Sequence, residues 1–208
     1  MIDLHNHIIP NLDDGSKSLE ISLSMLKHAS EQGITDVVNT VHYQSPRMDG
    51  EKIEYDYVKE KIDSLQSELI KNKINIKLHM GAEVFYLPNL HELKDNPLLT
   101  FNHGKYMLIE FPFDQVPNGC QEMFFKLKLS GVTPIIAHPE RIKPIQKDLS
   151  IVRQFIRGGC VIQIDAGCVT GSLGTSSEKA ALEIIRQGCC HILGSDAHDD
   201  HKRNFLLA

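Results

Sequence analysis

The feature that most constrains what this chain can fold into is an alternation. A short apolar run rich in β-formers is followed by an amphipathic pattern of helical period, and the pair recurs along the whole length. The runs fall at 1–7, 34–41, 74–84, 106–111, 133–137, 161–166 and 191–194. Between them, Leu19, Leu23 and Leu26 line one helical face that Gly33 ends, and Ile53, Tyr57, Ile62, Leu65 and Leu69 line a second. An irregular stretch carries Pro88 and Pro97. Further helices are expected near 123–129, stopping at Gly131, near 149–156, closed by Gly158 and Gly159, and near 178–187. Parallel neighbours cannot be joined by a tight turn, so seven strand–helix alternations imply a parallel sheet with helical crossovers. The expected class is α/β, with a closed barrel of βα units favoured over an open doubly wound sheet.

Polar residues that can bind metal sit at the C-terminal end of nearly every expected strand. His5 and His7 end the first and His42 follows the second; Glu83 ends the third, Glu110 the fourth and His138 the fifth; Asp196 and His198 follow the seventh. In a βα barrel these ends share one face, where catalysis is built. His5 and His7 are two apart on a strand and point to one side. Asp3 shares that side and could accept an imidazole N–H from behind. Asp13 and Asp14 follow in a turn ending at Gly15, and one of them could complete the ligand set. With Asp14 counted, there are nine candidates, and one tetrahedral ion needs about four ligands, so two or three ions are expected, with a bridging carboxylate. Imidazole and carboxylate donors without thiolate suit manganese, iron or zinc.

Taken singly, each of these residues has a plainer reading: a strand-end His commonly hydrogen-bonds at the surface. Glu110 is harder to explain that way. It stands inside the apolar stretch 107–113, where a carboxylate needs a partner or a metal. His28, His79, His91, His103, His191 and His201 are read as ordinary, and Asp165 ends the sixth strand without other support.

Several chemistries are excluded. The net charge of -5 and the lack of a basic run give no nucleic-acid groove, so any phosphate site must bring its own local cations. No apolar stretch reaches the ~18 residues a membrane span needs. The first candidate site residue is at position 5, so no leader is expected. Five cysteines without CxxC spacing read as reduced cytoplasmic thiols. A cysteine-based tyrosine phosphatase needs Arg six residues after its Cys, but those positions hold Lys126, Ala166, Gly174, Ser195 and Asp196. No GxxxxGK[ST], HExxH or GxSxG motif occurs, and 171–174 reads as a flexible Gly-Ser loop.

Asp3-Leu4-His5-Asn6-His7 followed by Asp13-Asp14-Gly15 resembles the opening of the polymerase-and-histidinol-phosphatase superfamily. Adding Gly81-Ala82-Glu83, Leu108-Ile109-Glu110-Phe111, Ala137-His138-Pro139-Glu140-Arg141 and Ser195-Asp196-Ala197-His198, the chain is similar to the manganese-dependent bacterial tyrosine phosphatases of capsule and exopolysaccharide loci. The resemblance implies a distorted seven-stranded βα barrel, TIM-like, holding three metal ions. It implies that His5, His7, Glu83 and Asp196 hold one ion, that Glu83, Glu110 and His138 hold a second, and that Asp14, His42 and His198 hold a third. Arg141 matches the family's phosphate-binding Arg, and Arg203 resembles its second. Relatives usually continue past the Asp-Ala-His motif as closing helices, whereas this sequence stops at Ala208. The expectation is one phosphatase domain over 1–208 without that helical segment, its oligomeric state left open.

The implied reaction is hydrolysis of phosphotyrosine in a protein, a bacterial tyrosine kinase tail, by a hydroxide that metal activates. Tyr43, Tyr86, Phe111 and Phe113 are aromatics that could stack on a phenyl ring or simply pack. Two other readings are a phosphatase for a small phosphomonoester such as histidinol phosphate, and a metal-binding regulator without turnover.

Overall fold

The computed structural model describes residues 1–48, 53–101 and 104–207. Among them, strands and helices alternate: β1 (Ile2–Asp3), α1 (Leu19–Glu31), β2 (Asp36–Tyr43), α2 (Tyr55–Lys71), β3 (Lys77–Phe85), β4 (Tyr106–Glu110), α3 (Cys120–Leu129), β5 (Thr133–Ala137), α4 (Lys143–Lys147), α5 (Ser150–Arg157), β6 (Val161–Asp165), α6 (Ala166–Val169), α7 (Thr175–Arg186) and β7 (Ile192–Gly194). Short 3-10 turns lie at Leu90–Leu93 and Pro139–Arg141. No helix among the described residues is long and apolar enough to cross a membrane.

The strands form one sheet in the order β1-β2-β3-β4-β5-β6-β7. That sequential order decides between the two expected architectures. A doubly wound sheet reverses direction at a switch point and scrambles its strand order, whereas a barrel winds one way. β1 pairs in parallel with β2, β3 with β4, β4 with β5 and β5 with β6. The segment after β7 then returns beside the continuation of β1. Asn6 bridges Ala197 in parallel, His7 N donates to Ala197 O at 2.8 Å, and Asp196 N donates to His5 O at 2.8 Å. The fold is the expected α/β class, a seven-stranded βα barrel.

The chain divides into two compact units, Met1–Ala82 with Gly194–Ala208, and Glu83–Leu193. In the first, the regular part of β1 is only Ile2–Asp3, shorter than the run at 1–7, because the backbone beyond it turns its bonds to 196–197 and to Thr40. α1 starts at Ser18, whose Oγ accepts from Ile21 N. It buries Ser22, Met25, Leu26 and Ala29, while Leu19 and Leu23 stay half-buried, so the core face lies a step round from the one expected. A serine is tolerated there because Ser22 Oγ donates to Ile8 O at 2.6 Å. α2 buries Val58, Ile62, Leu65 and Leu69; Tyr57 is 47% exposed, and Ile53 is buried ahead of the helix.

In the second unit, Leu108, Ile135 and Ala137 form a strand core against which Phe101, Val161 and Ile192 pack. The same unit holds an aromatic cluster: Phe111 stacks on Phe124 at 5.9 Å between centroids, and Phe155 meets both edge-on at 5.8 Å. Tyr86 closes the cluster at 5.4 Å from Phe111. Tyr86 and Phe111 are therefore packing residues. Truncating Phe155→Ala should lower unfolding free energy by about 3–5 kcal/mol in urea titration. A change below ~1 kcal/mol would mean the cluster collapses freely around the gap.

Candidate metal centre

In the first unit, four imidazoles and two carboxylates meet. His7 is the hub: its ring centroid is 4.2 Å from that of His198, 4.5 Å from His42 and 5.6 Å from His5. The adjacent acids in the turn after His7 take different tasks. Asp13 Oδ2 receives His7 Nδ1 at 2.8 Å and the His42 N–H at 3.2 Å, and its Oδ1 receives the Gly15 N–H at 3.0 Å. An ionised carboxylate only accepts, so Nδ1 carries the proton and Nε2 presents its lone pair inward. Asp14 instead faces the imidazoles directly, Oδ1 lying 3.1 Å from His42 Nε2 and 3.3 Å from His198 Nε2. Asp196 Oδ1 lies 3.3 Å from His5 Nε2 and 3.4 Å from His7 Nε2. Ligand atoms of His7, Asp14, His42 and His198 lie within 4.8 Å of one another, as do those of His5, His7 and Asp196.

In the second unit, Glu83, Glu110 and His138 are all buried near strand ends. His138 Nε2 meets Glu83 Oε1 at 2.8 Å. β3 and β4 pair so that Glu83 stands opposite Leu108 and Phe85 opposite Glu110. His138 (φ 30°) and Asp196 (φ 47°) both adopt left-handed backbone where a strand ends. L-residues avoid that region, and such strain concentrates where a side chain must be aimed.

The electrostatics fit cations. Burial alone would raise Asp14, but the His198 and His42 imidazoles that face it outweigh burial and hold the carboxyl far below its usual range. Burial also opposes the ionised form of Asp196, yet His5, His198 and Arg203 hold it well below that range. Burial, and then His7, keep His198 below the ordinary imidazole value, so it stays neutral. His198 Nδ1 donates to the Asp196 carbonyl at 2.8 Å, which leaves Nε2 as an acceptor. That buried nitrogen makes no hydrogen bond and points at Asp14 Oδ1, itself an acceptor, 3.3 Å away. Two acceptors at that separation repel unless a cation lies between them. The donor set is nitrogen and oxygen without thiolate, which suits manganese, iron or zinc.

Several residues have roles different from those expected, or were not singled out. Asp3 does not back a histidine: it accepts from Ser195 N and Oγ and from Asn6 Nδ2, and so ties the start of β1 to the Asp196 segment. Burial, outweighing those bonds, raises its pKa. The histidine-orienting role belongs to Asp13. Arg47, which no motif marked, places Nη1 3.2 Å from His42 Nε2 and 3.6 Å from Asp14 Oδ2. Arg203 Nη2 lies 2.5 Å from Asp196 Oδ2. Arg141 lies beside Asp165 and Phe113. The histidines read as ordinary have ordinary surroundings: His79 pairs with Asp36, His91 with Ser130, and His191 Nδ1 accepts from Ile162 N. His28 lies in α1, His201 is exposed, and His103 is outside the described residues.

A seven-stranded βα barrel with strand-end imidazole and carboxylate clusters defines a metal-dependent hydrolase class. Within it, the chain belongs to the capsular polysaccharide synthesis family CpsB/CapC, which it matches over residues 1–207. CapC of Staphylococcus aureus is 34% identical across 100% of this chain and 80% of its own. The tyrosine-protein phosphatase YwqE of Bacillus subtilis is 35% identical over 99% of this chain and 80% of its own. A solved structure from work on YwqE and on CpsB of Streptococcus pneumoniae, metal-dependent tyrosine phosphatases, superposes with a TM-score of 0.92 at 35% identity, covering 99% of this chain and 82% of that one. HisK of Listeria monocytogenes aligns over 97% of both chains with a TM-score of 0.57 and 12% identity, a likeness of fold alone.

The turn that separates Asp13 from Asp14 depends on close approach. A Cβ on Gly15 would stand 2.1 Å from His7 O and 2.4 Å from His7 Cβ. Gly15→Ala must displace His7, and metal affinity should fall by about 10- to 100-fold in competition titration against a chelator. Unchanged affinity would show that His7 need not be held there.

Proposed function

We propose that this chain is a metal-dependent protein-tyrosine phosphatase that acts in the cytoplasm on a phosphorylated tyrosine kinase controlling capsular or exopolysaccharide synthesis. The observation that carries the reading is the buried, neutral His198 facing the ionised Asp14 across 3.3 Å, acceptor to acceptor, within a cluster of four ligands. Support for the substrate comes from the family and from the names of YwqE and CpsB.

His5, His7, Asp14, His42, Asp196 and His198 would supply ligands from the first unit, and Glu83, Glu110 and His138 from the second, for two or three ions; manganese is the assignment. When bound, such ions supply an acidified water as nucleophile and neutralise charge on the phosphoryl oxygens. The remaining work falls to the chain. Asp13 fixes the His7 ring so that Nε2 faces the cluster. Arg141 would bind the equatorial phosphoryl oxygens through its planar fork, and Arg203 is the second candidate for such a role. A thiol mechanism is disfavoured, since burial pushes Cys160 up to about 12 and raises Cys120, Cys168 and Cys190 as well.

Chelation should abolish hydrolysis of a phosphotyrosine peptide, manganese should restore it, and thiol alkylation should leave it nearly intact. Full activity after chelation would end the proposal. Rates measured alongside on a phosphoserine peptide and histidinol phosphate should be lower, and a preference for histidinol phosphate would move the assignment to the small substrate.

A further inference from the structure

Arg141 is held on two sides. Its guanidinium carbon lies 4.7 Å from the centroid of the Phe113 ring, and Nη1 lies 3.7 Å from Asp165 Oδ2. The Asp165 side chain is 1% exposed and that of Arg141 18%, so this pair is largely sheltered from water. Charge pairs and cation–ring contacts gain strength in such surroundings.

Both partners are themselves pinned to the turn that carries Arg141. Asp165 is the last residue of β6, and its backbone N–H donates to Glu140 Oε1 at 2.8 Å. Glu140 immediately precedes Arg141 and is fully buried. Asp165 Oδ1 caps α6 by accepting from Gly167 N at 2.7 Å, which fixes the rotamer that turns Oδ2 towards the guanidinium. On the other side, Phe113 O accepts from Lys143 N at 2.8 Å, two residues after Arg141. The Arg, the carboxylate and the ring are thus locked into one frame by backbone bonds.

We propose that Asp165 and Phe113 are positioning residues that mount the Arg141 guanidinium in the orientation in which it receives the phosphoryl group. The inference rests on the reading of Arg141 as the phosphate-binding residue. A long, flexible side chain loses conformational freedom when it binds an anion. An Arg already turned by a carboxylate on one edge and a ring on its face loses less. Its fork carries five donors, so one edge can meet Asp165 while another meets phosphate. This gives Asp165 a task that metal ligation does not require of it.

The test uses the manganese-loaded full chain. Asp165→Asn keeps the side-chain volume and, through Oδ1, the α6 cap, while an uncharged amide NH2 replaces the carboxylate oxygen that faces the guanidinium. We expect kcat on a phosphotyrosine peptide to fall by about 10- to 100-fold, and inhibition by inorganic phosphate to weaken, at unchanged metal content and unfolding midpoint. In an Arg141→Ala background the same change should add nothing. A merely structural Asp165 would cost the same factor in both backgrounds, and that result overturns the proposal, as does a loss that tracks metal loss. If Arg141→Ala is damaging while D165N is silent, the mounting role alone is wrong. If Arg141→Ala leaves turnover unchanged, the phosphate-binding reading falls and the proposal with it. Should D165N not fold, Phe113→Leu carries the test: turnover reduced only when Arg141 is present supports the mount, and turnover unchanged overturns it.

Discussion

The structure depends on an electrostatic conflict that the protein alone does not resolve. His7, His42 and His198 are packed with ring centroids 4.2 to 6.4 Å apart, beside two carboxylates held ionised. Asp13 and the Asp196 carbonyl take the outward Nδ1 protons of His7 and His198. The inward nitrogens therefore present lone pairs to carboxylate oxygens. Burying such an arrangement is costly unless positive charge enters it. On the proposed reading the site demands cations, and Arg47 and Arg203 already lean on its acids.

The fold makes that demand affordable by placing the candidate ligands on backbone that has few other options. Each strand end delivers one or two side chains, and the turn that follows fixes their direction. At His138 and Asp196 the backbone is forced into the left-handed region, and at Gly15 it passes so close to His7 that no Cβ fits. Asp3 holds the start of β1 to Ser195, one residue before Asp196, so residues distant in sequence keep a fixed relation. The second unit applies the same logic to Arg141, whose neighbours Phe113 and Asp165 are tied to its own turn.

Much of this was legible in the sequence. The alternation of apolar runs with helical periods reports burial directly, and the strands at 133–137 and 106–110 fall where the β-formers cluster. The candidate ligands were visible because His and acidic side chains at strand ends are chemically conspicuous. What could not be read were relations of angle and reach. Nothing local distinguishes Asp13 from Asp14, yet one turns behind His7 and the other towards the cluster. Asp3 lies on the face of a histidine in strand geometry, but its carboxylate is captured by Ser195, 192 residues away. The buried face of α1 includes Ser22, whose hydroxyl finds a carbonyl partner that no hydropathy pattern encodes. Asp165 had no motif to mark it, because its partner Arg141 is close only in space.

The central claim is that these imidazoles and carboxylates surround bound cations. The most direct test is a crystal of the untagged chain grown with manganese, with data collected at the manganese absorption edge. The account predicts anomalous peaks within bonding distance of Asp14, His42 and His198, and of His5, His7 and Asp196. Strong diffraction with no peak at either cluster, or with manganese only at surface acids, would contradict it.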